Sequence, residues 1–497
     1  VDRNNYHCFH GLVPELLVGK IQATQVLSSA RRLFQPGRFV LATVERVDTG
    51  NKTVQVRRGH DGELAEFSYD HLIVSLGSVD DLSRYRGIGE HSLRLKTYWD
   101  ILTVRNRILS MLEMAQLEED PEERRRLLHF VIAGGNYAGV EVAAELAGFL
   151  SGLARKEFQG LDPEDIRITL VHAGDQILPE LAERFPKLSA KAKRSLQAAG
   201  VQLALGVKLK SATPIEAILS DGTQLPTRTI ISCTGTAQNP VLDTLPFERN
   251  RHGRLVANAY GQVGGTSDIW SGGDCAAIPM KKGGDVPPLA LYAMQAGTTI
   301  SRNILRTRRN KALKPYSFGG LGDCCCLGTG DGVGQLMGIQ ISGFLCWLIW
   351  RAFMVIYLPS WKKRVRTVLD WMATPLLGRD IIAVTSPSDV GVQRELFEAG
   401  QVIVTEGDVG RAMFLVRTGE VEVFKTDTDG RETHLANLGA GEHFGEIAVL
   451  NDVRRTASVR ARSEVELLRI GREQANLLTS SYSGFGEVAA TGRARME

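Results

Sequence analysis

The feature that most constrains this 497-residue chain is a glycine-rich turn between a wholly apolar strand and a helix. His129-Phe130-Val131-Ile132-Ala133 reads as a buried strand, and Gly134-Gly135-Asn136-Tyr137-Ala138-Gly139 leads from it into a helix expected over 140–150. Strand, turn and helix in that order are the context that G-x-G-x-x-G needs. Backbone N–H groups of such a turn, with the helix N-terminus, hold the pyrophosphate of a dinucleotide. Gly134 makes the tight turn, Gly135 continues it, and Gly139 lets the helix close on the strand. Asn136 replaces the middle glycine; Asn tolerates a positive φ better than most residues, but its side chain narrows the approach to the phosphates. A tight turn with no ligand is the alternative. The group that holds the ribose diol should end the next strand, expected at 167–171, and that residue is His172. Imidazole is not a two-acceptor clamp. NADH is the first expectation, and NADPH bound through a protonated His172 is the variant.

At this length one core does not suffice, and three or four folding units are expected. A net charge of +3 gives no sign of a nucleic-acid partner. The seven cysteines show no metal-ligand or disulfide-framework spacing, which suits a reducing compartment and predicts no metal site. Cys324-Cys325-Cys326 reads as small apolar filler on a strand. Residues 38–48 and 52–57 read as a β-meander, 69–77 as a buried strand running into a glycine turn, and 98–117 as a helix. Residues 121–126 read as a charged helix end or linker. Helices are expected at 181–199 and 288–306, and strands near 201–218 and at 229–233. Trp270-Ser271-Gly272-Gly273-Asp274 is a second strand entering a glycine turn. Asp2 stands where a first Rossmann unit keeps its ribose-binding acid. The glycine fingerprint of that unit would lie roughly 20 or more residues upstream. With no initiator Met and no signal peptide, the chain is expected to start partway into a domain and, as it stands, to bind FAD poorly.

Residues 342–358 are strongly apolar but carry Arg351 at their middle, and a spanning helix needs about 20 apolar residues. Trp361, Lys362, Lys363, Arg364 and Arg366 follow, then Val365, Val368, Leu369, Met372 and Leu376 at helical spacing. This predicts an amphipathic helix with basic and aromatic anchors in the interface of an anionic bilayer. A pair of core or dimer-interface helices is the alternative, so a homodimer stays open.

From about Leu396 short alternating strands and glycine turns suggest a small β-barrel or jelly roll. Its chemical centre is His443-Phe444-Gly445-Glu446, followed by Arg454-Arg455-Thr456-Ala457. This resembles the phosphate-binding cassette of cyclic-nucleotide-binding domains. Backbone N–H groups after Gly445 suit a cyclic phosphate, and Arg455 pairs with its anionic oxygen. Glu446 accepts from the ribose 2′-OH, while Thr456 suits cAMP or cGMP. A degenerate barrel without ligand is the alternative. The closing lid would be short, over Arg472 to Leu478.

Five ordered motifs carry a second resemblance: Val1 to His7, Tyr69-Asp70-x-Leu72-Ile73, Gly139-Val140-Glu141, Gly273-Asp274-Cys275-Ala276 and Ala290-x-x-Ala293-Met294-Gln295. Together they resemble type II NADH dehydrogenases over about residues 1–378. The resemblance implies an α/β fold with two Rossmann-like dinucleotide-binding domains, the FAD domain interrupted by the NAD domain. It implies FAD domain parts at 1–126 and 251–335, and an NAD(P)H domain at 127–250. Membrane-anchor helices at 336–380 and the cyclic-nucleotide-binding jelly roll at 390–480 complete the expected order. Asp274 would bind the flavin ribityl chain, and Gly77 would mark the return from the flavin domain. Glu141 would lie near the nicotinamide, and Gln295 would face the quinone pocket. The family has a second Gln where this chain has Leu291. The absence of C-x-x-C and C-x-x-x-x-C argues against a disulfide reductase. The expected activity is FAD-dependent, non-proton-pumping NADH:quinone oxidoreduction on the cytoplasmic face of a membrane, with cyclic-nucleotide regulation. A membrane-bound nucleotide receptor with a degenerate oxidoreductase half is the competing reading, motivated by Asn136, His172 and Leu291. A flavoprotein reducing a protein partner is a third.

Overall fold

A computed structural model describes residues 1–59, 61–80, 82, 87–379, 381–383, 392–408, 410, 412–427, 431–450, 453–471 and 474–475. The elements that position the site are, in chain order, helix α1 (Val13–Leu17), strands β1 (Leu72–Val74) and β2 (Ser78–Asp80), helix α2 (Tyr98–Leu117) and strand β3 (His129–Ala133). Helix α3 (Tyr137–Lys156) and strands β4 (Arg167–His172), β5 (Val201–Leu205), β6 (Thr229–Ser232) and β7 (Ile269–Ser271) come next. Then follow helix α4 (Ala290–Arg308), strand β8 (Gly322–Cys326), and helices α5 (Phe344–Tyr357) and α6 (Trp361–Leu377).

All five residues of β3 are buried, as a strand covered on both faces requires. It pairs in parallel with β4 on one side and β6 on the other, inside a five-stranded parallel sheet completed by β5 and Ser92–Leu93. Helix α3 starts three residues earlier than expected, because Asn136 caps it. The helix expected over 181–199 is two, Pro179–Arg184 and Pro186–Ala198. Pro186 has no N–H to continue the first, and it pushes Phe185 out of the helical region, to φ −138°.

The other α/β unit is split around this one. Strand β1 pairs in parallel with β7, from the far side of the inserted sheet in sequence. The antiparallel meander Ala42–Asp48, Thr53–Arg58 and Leu64–Ser68 shares a core with residues beyond 240: Val56, Val74, Leu255, Ile269 and Cys275 are buried together. The inserted sheet has its own core around Phe130, Ile132 and α3.

Beyond residue 392, two antiparallel four-stranded sheets face each other across Phe397, Phe414, Val421, Phe444, Val459 and Leu467. This is the jelly-roll arrangement. Of the lid expected over Arg472 to Leu478, all but 474 and 475 lie outside the described residues.

Helix α6 is built inside out. Thr367 is fully buried, Trp371 donates to Glu15 at 2.5 Å, and Thr374 donates to the Lys20 carbonyl at 3.3 Å. Asp370 accepts from Gln25. Meanwhile Trp361, Leu369, Met372 and Leu376 are 77%, 57%, 68% and 86% exposed. The basic run needs correcting. Lys363 donates to the Leu27 carbonyl and Arg366 to Gln22, which ties α6 to the body, and Arg364 donates to the Leu358 carbonyl at the end of α5, so these three cations are engaged within the protein. Arg351 of α5 also turns inward, pairing with Glu15 at 3.1 Å and lying 4.2 Å from both the Trp347 and the Trp371 ring. Among the described residues no helix is long and apolar enough to cross a membrane.

Candidate functional site

Two glycine turns stand at the carboxyl ends of parallel strands, where open α/β sheets bind ligands. The first joins β1 and β7. Gly77 and Gly273 have φ of +64° and +80°, a region that favours glycine, and a Cβ at Gly77 would meet nothing within 4 Å among the described residues. Asp274 follows, accepting from Ser78 Oγ at 3.2 Å, and Lys96 Nζ donates to that hydroxyl at 2.8 Å. Helix α4 packs on this turn through Ala296 and Ile300, which stand over Gly272. Gln295 and Leu291 are half-buried on the same helix. Asp2 is exposed; its carboxylate accepts the Asn4 N–H at 2.8 Å, and its backbone bridges to Leu41.

The second turn follows β3. Gly134 has φ +117°, and a Cβ at Gly139 would sit 1.8 Å from the Gly134 carbonyl oxygen, so only glycine lets helix and strand approach this closely. Asn136 departs from expectation. Its φ is −78°, in the extended region, and its Oδ1 caps the helix by accepting the Gly139 N–H at 3.0 Å. Its Nδ2 donates to the Cys233 carbonyl at 2.9 Å. The side chain is thus folded into the turn. His172 Nδ1 accepts the Gly135 N–H at 3.1 Å, and burial pushes the ring pKa down, against a bond to the Gln176 backbone. Both effects favour neutral imidazole, which counts against the protonated 2′-phosphate clamp.

Strand β2 connects the two turns. Ser78 at its start touches Asp274, and Asp80 at its end pairs with Thr236, three residues after Cys233, whose carbonyl holds Asn136. Burial raises the Asp80 pKa, against Lys96 and Arg94.

Glu141 lies one turn into α3 and accepts the Cys326 N–H of β8 at 3.0 Å. Burial raises its pKa to about 8, against the Cys326 bond and with the neighbouring Glu145 adding to the rise. Four residues further, Glu145 pairs with Lys20 at 2.6 Å, both buried. This ion pair and the Arg351–Glu15–Trp371 cluster were not anticipated. Their only sequence trace is Glu141 and Glu145 at the i, i+4 spacing that shares a helix face. Cys325 and Cys326 are buried on β8, as expected of filler, while the Cys324 thiol is hydrogen-bonded to Cys346 of α5.

In the C-terminal unit a cavity of about 310 Å³ is lined by His443, Gly445, Glu446, Ala448, Arg455 and Thr456. Arg455 is 8% exposed, and its guanidinium donates to the Gly445 and Ala412 carbonyls at 2.9 and 2.7 Å. Gly445 has φ +82°, and a Cβ there would strike that guanidinium at 2.4 Å. Glu446 is 5% exposed, and among the described residues its Oε2 has no hydrogen-bond partner.

Residues 1–297, more than half of the chain, match the family described as pyridine nucleotide-disulphide oxidoreductase. The chain belongs to that family. As a pyridine nucleotide-disulphide oxidoreductase it also carries a cyclic nucleotide-binding domain, matched over residues 394–482. A probable NADH dehydrogenase of Dictyostelium discoideum is 28% identical over 77% of this chain and 84% of its own length. The type II NADH:quinone oxidoreductase Ndh of Mycobacterium tuberculosis is 26% identical over 76% and 83%. Among solved structures, NDH2 from Plasmodium falciparum in complex with NADH superposes with a TM-score of 0.72 at 18% identity, covering 77% of this chain and 94% of that one. For this family member that likeness establishes the fold.

Proposed function

We propose that this chain is an NADH:quinone oxidoreductase that works against a membrane surface and carries a cyclic-nucleotide receptor. The observation that carries the reading is the β2 bridge: Ser78 at its start donates to Asp274 of one dinucleotide-type turn, and Asp80 at its end pairs with Thr236, three residues after the Cys233 whose carbonyl holds Asn136 of the other. The residues fit a flavin at the first turn, where positive-φ glycines open space beside the Asp274 carboxylate. Asp2, Gly77 and Asp274 would hold it. A bound flavin supplies acceptance of two electrons from NADH and their donation to a quinone. Gly134, Gly135 and Gly139 would receive the NADH pyrophosphate, and Glu141 would stand by the nicotinamide. Gln295 would face the quinone. In the receptor, Glu446 and Arg455 are a buried acceptor and a buried cation suited to a ribose hydroxyl and a cyclic phosphate, with Thr456 compatible with cAMP or cGMP. The test is NADH oxidation by the full-length protein with a soluble quinone analogue. Flavin absorbance with quinone-dependent turnover supports the reading. A colourless protein inert to NADH would leave only a nucleotide receptor.

The neutral His172 ring predicts a cofactor preference. Its kcat/KM for NADH should exceed that for NADPH by roughly tenfold or more, since an uncompensated 2′-phosphate loses a charge-assisted bond. Equal values for the two cofactors would sink this account of His172.

The outward apolar face of α6 supports peripheral membrane attachment. Leu369→Lys with Met372→Lys should fold normally, because both side chains are mostly exposed. Sedimentation with neutral vesicles should fall by at least about tenfold, each lost side chain being worth about 1.5–3 kcal/mol of burial. Unchanged sedimentation would point to another surface.

A further inference from the structure

We propose that Cys324 of β8 and Cys346 of α5 form a peroxide-sensitive dithiol, a modification site that closes to a disulfide and opens again on reduction. The strand Gly332–Leu336 runs antiparallel beside β8 and sets Gly334 opposite Cys324. Opposed residues of such a pair share a face, and so do residues two apart on one strand. Gly332 and Gly334 therefore leave the same face bare. A Cβ at Gly334 would stand 2.7 Å from Cys324 Sγ, and a Cβ at Gly332 would stand 3.4 Å from Cys346 Sγ. Both sulfurs thus occupy the shelf that the two glycines leave open, and there the thiols are hydrogen-bonded to one another. Cys324 keeps partial exposure, while Cys346 is fully buried. Cys326 shares that face of β8, but its buried thiol donates to the Gly328 carbonyl at 3.2 Å.

The pair has unequal members. Among the described residues, which include all seven cysteines, Cys324 is the one thiol whose pKa is pushed down: the bond from Cys346 outweighs burial and the nearby Asp323. The same bond, with burial, pushes Cys346 up, and burial pushes up the other five. Thiolate character and access decide which cysteine reacts, so Cys324 is the attacking sulfur. It attacks one oxygen of hydrogen peroxide; the O–O bond breaks, Cys324 becomes a sulfenic acid, and the departing hydroxide takes up the thiol proton as water. The Cys346 sulfur then attacks the Cys324 sulfur; the S–O bond breaks, and the departing hydroxyl takes the Cys346 proton as a second water. The two thiols lose two electrons and the peroxide gains them. In a reducing compartment small thiols reopen the bond by exchange. Closed, it fastens α5 to β8, the strand whose Cys326 N–H holds Glu141.

The test treats the reduced full-length protein with hydrogen peroxide, unfolds it in N-ethylmaleimide to alkylate every remaining thiol, and reads the fragments by mass spectrometry. Cleavage before Asp323 and Asp331 separates the three adjacent cysteines from Cys346. The two fragments should be joined and lighter by two hydrogens, and dithiothreitol should part them. Alkylation of Cys324 and Cys346 should fall by at least about tenfold, while Cys325 and Cys326 stay alkylated. Met337, 77% exposed, reports that peroxide has acted, through its sulfoxide. Cys346→Ser should leave Cys324 as a sulfenic acid that dimedone traps, and Cys326→Ser should leave the fragments joined as before. An oxidised Met337 beside a fully alkylated Cys324 would overturn the proposal, and so would joined fragments that persist in Cys324→Ser. The wild-type protein suffices if a variant does not fold: sequencing the joined fragments must place the bond on Cys324, and a bond on Cys325 or Cys326 sinks the assignment.

Discussion

Glu446→Gln should weaken cyclic-nucleotide binding by roughly 10- to 100-fold and, in the same protein without ligand, raise the melting temperature of the C-terminal domain. The two effects have opposite signs for one reason. Glu446 is 5% exposed with an oxygen that, among the described residues, has no hydrogen-bond partner, and a buried unsatisfied polar group costs about 1–3 kcal/mol, more when charged. The neutral amide lowers that cost. A ribose hydroxyl would satisfy the carboxylate on binding, and a hydrogen bond to a charged group contributes about 1.5–3 kcal/mol, so the amide loses affinity. Arg455→Gln makes the contrast. That guanidinium also ties Gly445 to Ala412, so its loss should lower both affinity and melting temperature. Isothermal titration with cAMP and cGMP, paired with calorimetric melting, reads both quantities. An unchanged affinity in Glu446→Gln, or a fall in both affinity and stability, would remove Glu446 from the ligand site and make it a packing residue.

What could be read from the chain alone was what period and turn chemistry encode. The apolar run of β3, the 3.6-residue repeat of α2 and the alternating strands after residue 392 each name their element without help from distant residues. The break at Pro186 was also legible, and taking 181–199 as one helix ignored it. The Asn136 reading failed differently. Counting glycines assigns that position a backbone conformation, whereas Asn is also a strong N-cap residue, and the cap won. The polar side of α6 was out of reach altogether. The partners of Lys363, Arg366, Asp370 and Trp371, which are Leu27, Gln22, Gln25 and Glu15, lie more than 300 positions away, so Lys363 and Arg366 looked like free surface charge. The same holds for Glu141. Its place after the third glycine was visible, but its burial comes from a strand 185 residues later.

That burial yields the second large effect. Glu141→Gln should lower quinone-dependent NADH oxidation by about 10²-fold, in the range of a lost general acid. It should leave NADH oxidation by ferricyanide, an acceptor that takes up no proton, near the wild-type rate. The amide can still accept the Cys326 N–H, so the fold around α3 and β8 is kept and only the proton is lost. With its pKa raised to about 8 by burial, Glu141 is mainly protonated at neutral pH and can hold, beside the nicotinamide, one of the protons that quinone reduction consumes. Turnover should therefore fall as pH rises through about 8 in the wild type, and that limb should be missing from the variant. Stability carries the same signature. A carboxyl with a folded pKa above its unfolded value binds more protons when folded, so its ionisation costs stability progressively as pH rises from about 4.5 toward 8. Glu141→Gln escapes that cost, and its melting temperature relative to wild type should climb across this window. Ferricyanide and quinone rates that fall together would make Glu141 an NADH-binding residue. A variant with full quinone activity and the same alkaline limb would mean that the proton comes from elsewhere.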